Sequence, residues 1–111
     1  MRTYVRMGVS GSDHGEFQRA LRAGNWASAF AAAYSLPVVR LEDALELVLL
    51  GAEKVDNDRY ERLATRWLTR LLAERRVSLH EIAWTVERLR DAREGRGEEA
   101  GPALRKYVGA E

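Results

Sequence analysis

The stretch from Val39 to Ala52 sets the terms for the rest of the chain. Wound as a helix at about 100° per residue, it sends Leu41, Ala44, Leu45, Leu47, Val48, Leu49, Leu50 and Ala52 in nearly every direction. Glu42, Asp43 and Glu46 share one sector of about 100°. A helix apolar almost all round belongs in an interior, so this one needs neighbours on several sides, from its own chain or from a second copy. At 111 residues the chain reads as one domain. A domain of that size buries about two-thirds of its unfolded surface.

The neighbours are helices. Alanine (16), leucine (14), arginine (16) and glutamate (12) dominate, against a single isoleucine, and all four favour helix. Start and stop signals place the helices one by one. Asp13 and Glu16 have capping-box spacing, Phe17, Ala20 and Leu21 make one apolar face, and Gly24 stops the turn. Asn25 caps a second helix carrying Trp26, Ala29, Phe30, Ala33 and Tyr34, which Pro37 ends. After the central helix, Asp58 with Glu61 repeats the capping box. It opens a helix to about Arg75 whose Tyr60, Leu63, Ala64, Trp67, Leu68, Leu71 and Leu72 keep the 3/4 spacing. Ser78 with Glu81 opens a fifth helix to about Arg93, with Leu79, Ile82, Ala83, Val86 and Leu89 turned inward. Gly95, Gly97 and the acids Glu98 and Glu99 read as a flexible break. The expected fold is all-α: a compact bundle of about five helices built from helical hairpins, with mobile ends. Its parts are a lead over 1–12, a helical domain over 13–94, and a flexible segment over 95–111 with room for a short helix. Thr3–Met7 reads either as a short strand or as part of a tail.

Composition excludes several classes of function. With no cysteine there is no disulfide scaffold, zinc-thiolate site or cysteine nucleophile. Arginines at 2 and 6 interrupt any signal-peptide core. The longest strongly apolar run, Leu47–Leu50, falls far short of the ~18 residues that span a bilayer. The expectation is a soluble, cytoplasmic protein away from membranes. The arginine bias, 16 against 2 lysines, reflects either GC-rich codons or a use for arginine's forked donors.

No catalytic, cofactor or metal site emerges. Gly8, Gly11 and Gly15 match neither the dinucleotide fingerprint nor a phosphate loop. Ser12, Asp13 and His14 are triad residue types, but neighbours in sequence rarely reach triad geometry. His80 sits in the first turn of a helix. Asp56, Asn57, Asp58 and Glu61 fail the calcium-loop pattern, having Glu61 where glycine belongs and Trp67 where glutamate does. The chain therefore reads as non-enzymatic.

Two surfaces remain as binding candidates. With Arg59 at 0°, Arg62, Arg66 and Arg70 fall at about 300°, 340° and 20°, while the apolar face centres near 120°. These four arginines form a stripe with no acid inside it. Such a stripe either tracks phosphates or stands solvated, pairing with acids such as Glu42, Asp43 and Glu46. Trp84 lies about 140° from Leu79, among His80, Glu87, Arg88 and Asp91. Its cover is either the chain's own tail, through Tyr107 and Val108, or a partner, for which an aromatic flanked by arginine is a typical anchor. The resulting expectation is a protein–protein interaction module, with a partner protein or as a homodimer. The alternative is a nucleic-acid-binding accessory protein using the stripe.

The segment Ala20–Ala29 resembles the turn of a tetratricopeptide unit: Gly24 closes it, Trp26 follows two later and Ala29 three after that. Pro37 arrives too early for a full repeat. This resemblance implies an interaction scaffold. Over Phe17–Ala92, the order of residues 19–25, Leu36-Pro37, Asp43-Ala44-Leu45, residues 59–62, Arg66-Trp67-Leu68 and residues 78–82 resembles a group of small helical proteins of high-GC bacteria. That likeness implies a helical fold and brings no activity or ligand with it.

Overall fold

The computed structural model describes residues 14–109. The described residues form six helices and no strand. They are α1 (14–23), α2 (Trp26–Ser35), α3 (Leu41–Lys54), α4 (Asn57–Glu74), α5 (Leu79–Arg93) and α6 (Gly97–Gly109). The all-α expectation holds, with six helices in place of about five. Among the described residues, those up to Arg40 and those from Leu41 onward form two separate compact units. The readings for Met1–Gly11, Ser12 and Asp13 fall outside the described residues.

The first unit is a helical hairpin. Gly24 takes a φ of 73°, the left-handed conformation that glycine alone adopts without strain. The Gly24 N–H donates to Leu21 O (3.1 Å) and the Asn25 N–H to Ala20 O (3.0 Å). That pair of bonds is a Schellman closure, satisfying two carbonyls the helix end leaves free. Asn25 at once caps α2, its Oδ1 accepting from the Ser28 N–H at 3.1 Å.

In the second unit α4, α5 and α6 all pack against α3. Leu41, Leu45, Leu47, Val48, Leu49, Gly51 and Ala52 of α3 are buried. Trp67 of α4 donates its indole N–H to Leu41 O (3.0 Å), and Tyr60 donates its hydroxyl to Leu89 O of α5 (2.6 Å). Arg93 of α5 donates to Ala52 O (2.9 Å) and Val55 O (2.7 Å) at the end of α3. Arg105 of α6 forks onto Glu46 of α3, with bonds of 2.7 and 3.1 Å.

Three details differ from the sequence reading. The cap of α4 is Asp56, which accepts from the Arg59 N–H at 2.8 Å; Asp58 lies inside the first turn. Both aspartates are competent caps, and the choice follows from where the chain leaves α3 through the buried Val55. The inward face of α5 is also turned. Thr85 and Leu89 are buried and Ile82 and Val86 half-buried, while Leu79 and Ala83 are exposed. Thr85 reaches the interior because its hydroxyl is satisfied by Glu81 O at 2.8 Å.

The third correction is α6. In place of a flexible segment with a short helix, 95–111 holds a helix whose Leu104 and Val108 are fully buried. Gly95, at φ 93°, stops α5, and the Arg96 N–H closes onto Asp91 O (2.9 Å). Glu98 and Glu99 then fall in the first turn, where the helix dipole favours acids. Pro102 deprives only the Glu98 carbonyl of its donor, and Glu98 is exposed to water.

Two predictions test this packing. A methyl group on the buried Gly101 would meet Arg105 Nη1 at 3.6 Å and Leu49 Cδ1 at 3.8 Å, ordinary contact distances. Gly101→Ala should therefore raise the unfolding free energy by about 0.5–1 kcal/mol in urea titration; a loss would mean that α6 sits closer to α3 than described. Tyr60 is pushed up to about 12 by burial, so the folded chain keeps a proton that the unfolded chain sheds from pH 10 upward. Its contribution is complete below pH 10 and drains away between pH 10 and 12. Tyr60→Phe should lose about 1–2 kcal/mol at neutral pH and decline less steeply in alkali. An equally steep decline would clear Tyr60 as the source.

Candidate functional site

Arg59, Arg62 and Arg66 stand exposed on α4, on the side away from the buried Tyr60, Trp67 and Leu71. Arg70, at the edge of the stripe, bonds Glu74 one turn on (Nε to Oε2, 2.9 Å). Of the acids of α3, Glu46 is taken by Arg105. Among the described residues no ion pair joins Arg59, Arg62 or Arg66 to an acid.

Trp84 is elsewhere, turned toward α6. Its ring meets Tyr107 at 5.5 Å between centroids, tilted by 54°, and the Arg88 guanidinium lies over it at 5.6 Å. The chain's own tail thus supplies cover, and Trp84 is half-buried. Arg88 is itself held by Asp91 at 2.9 Å. Hydrogen bonds from Arg96, and then from Arg88, hold the Asp91 carboxyl below the usual carboxylate range. The Ser78 backbone does the same for Glu81. The arginine stripe and Trp84 are therefore two separate surfaces, one on the outer face of α4 and one at the α5–α6 seam.

A third surface escaped the sequence reading because its residues were assigned inward. Joined by residues 75–78, α4 and α5 do not pack closely on each other. Between them runs a groove of about 130 Å³ lined by Ala64, Leu68, Val86 and Leu89, with Glu61, Thr65 and Arg90 at its polar edge. Leu72, one turn beyond Leu68, is 45% exposed, and Leu79, two turns before Val86, is 82% exposed. The only signal in sequence was that the fifth helix carries more apolar positions than one buried stripe uses. In the first unit, Trp26, Phe30 and Tyr34 form a ladder along α2, at 4.9 and then 6.3 Å.

His80 is exposed in the first turn of α5. Among the described residues no group of three or more acids and histidines is placed to hold a metal ion. Among the same residues no helix is long and apolar enough to cross a membrane. No family model, curated protein or solved structure matches the chain.

The Trp84 seam yields a stability test. Trp84→Ala and Tyr107→Ala should each destabilise the protein, and in a double-mutant cycle they should couple by about 0.5–1.5 kcal/mol. Strict additivity would show that the two rings do not support each other in solution.

Proposed function

We propose that this chain is a small non-enzymatic interaction module of the cytoplasm that receives an amphipathic helix of a partner protein in the α4–α5 groove. One observation carries the reading. Leu72 and Leu79 are exposed on the two helices that flank a groove of mixed apolar and polar lining. Leaving leucines in water forgoes roughly 1.5–3 kcal/mol of burial for each that is fully uncovered. Leucines one and two turns along their helices from a groove that has charged and polar residues in its lining have the layout of an interface core. At about 130 Å³ the groove takes one bulky side chain. That suits helix-in-groove recognition, in which one anchor enters and its i+3 or i+4 neighbours rest on the flanking leucines.

A photo-crosslinking residue placed at 79 in living cells tests this, with the same residue at the exposed Glu53 as background. The expected result is a discrete adduct with another protein, formed from 79, missing from 53, and lost on Leu72→Ser. An adduct of two copies of this chain would replace the partner protein by a homodimer. No adduct from 79 or from 72 would remove the groove as an interface.

A further inference from the structure

We infer that the outer face of α4 is a second docking surface, on which Arg59, Arg62 and Arg66 grip the carboxylates of an acidic helical segment of a partner protein. This inference rests on the interaction-module reading but uses a different face of α4. The groove residues Ala64 and Leu68 lie at about 140° and 180° on the wheel that puts the three arginines between 300° and 0°.

The first support is contrast. Six other arginines of this unit are committed: Arg70 to Glu74, Arg75 to Val108 O, Arg88 to Asp91, Arg93 to Ala52 O and Val55 O, Arg96 to Asp91, and Arg105 to Glu46; Arg76 and Arg90 are exposed and unbonded too, but neither lies on α4. Arg59, Arg62 and Arg66 are aligned, exposed and bonded to none of the described acids. The acids of α4 itself, Asp58, Glu61 and Glu74, lie outside the stripe, at about 260°, 200° and 60°.

The second support is spacing. Arg59 and Arg66 are about 10 Å apart along the axis, with Arg62 about 4.5 Å from the first and 6 Å from the second. Carboxylates at i, i+3 and i+7 of a helix laid alongside repeat these distances. Arginine's planar fork matches a carboxylate in two bonds. The protein already uses that pairing between two of its own helices, where Arg105 of α6 holds both oxygens of Glu46 on α3.

The third support is charge, and it decides against nucleic acid. Residues 41–109 carry 14 acids against 13 bases. The unit that bears the stripe therefore has no net positive field to draw in a polyphosphate. Three contacts would give only a shallow salt dependence. A short acidic segment meets the stripe locally and needs no long-range field.

The probe is a labelled alanine-based helical peptide with glutamates at i, i+3 and i+7, titrated with the whole protein by fluorescence anisotropy at low and physiological salt. Arg59→Gln/Arg62→Gln/Arg66→Gln should weaken binding about tenfold, with unchanged circular dichroism. The triple lysine variant, which keeps charge without the fork, should recover only part of it. Leu72→Ser/Leu79→Ser should bind this peptide as the parent does, so that failure of the groove and failure of the stripe are told apart. Equal binding by the parent and the glutamine variant would overturn the proposal. So would a 20-nucleotide DNA that binds tighter than the peptide and is lost in the glutamine variant, which would hand the face to nucleic acid. Self-association of the parent that disappears in that variant would hand it to a second copy.

Discussion

The second unit depends on how the end of α3 is satisfied. A helix leaves its last four carbonyls without donors, and α3 ends beside the buried Val55. Arg93 reaches back from α5 and donates to Ala52 O and Val55 O. Its positive charge sits where the helix dipole is negative. The same guanidinium lies over the Tyr60 ring at 5.8 Å, and the Tyr60 hydroxyl donates to Leu89 O, one turn before Arg93. Two side chains thereby fasten the end of α3, the start of α4 and the end of α5 to one another. The register of α5 against α3 follows from this clasp, and with it the side of α5 that is left for α6.

Arginine repeats this role at other seams. Arg75, which ends α4, donates to Val108 O at the far end of α6 (2.6 Å), and Arg105 ties α6 to Glu46. At Arg105 a lysine would carry the charge but not the planar fork that meets both oxygens of Glu46 at once. The arginine excess over lysine thus has a structural use at that position, whatever codon usage contributes. It also explains why free arginines are hard to recognise in sequence. Arg93 and Arg66 look alike on a helical wheel; only the neighbouring helices show that one is committed to α3 and the other faces water.

Local chemistry was legible. Gly24 with Asn25 and Ser78 with Glu81 marked helix boundaries because a cap is written in residues a few positions apart. The near-complete burial of α3 was legible from its apolar wheel. The facing of α5 was not, since hydropathy ranks Leu79 above Thr85, whereas the fold buries Thr85 by pairing its hydroxyl within the helix. The C-terminal segment was misread because Gly95, Gly97 and Pro102 each suggest a break. Ala100, Leu104 and Val108 repeat every four residues beneath them, and that period was the available signal. The exposure of Arg59, Arg62 and Arg66 on one face was legible from the wheel; the pairing of Arg70 with Glu74 was not. The groove was not, because it arises from the separation of two helices.

The groove and the misread tail have one cause. α5 has apolar residues over more of its circumference than one neighbour can cover, so α4 and α6 compete for it. Packing α6 on α5 and α3 buries Leu104 and Val108 completely and gives Trp84 a ring to rest on. Each fully buried aliphatic side chain contributes roughly 1.5–3 kcal/mol, and in this arrangement Leu79 of α5 and part of Leu72 of α4 stay uncovered. α5 turns its Thr85–Leu89 side inward and leaves Leu79 outside. On this account the exposed leucines are the remainder of a packing choice within the unit. A partner helix that covers them adds burial without disturbing α6, so binding there needs no rearrangement of the core.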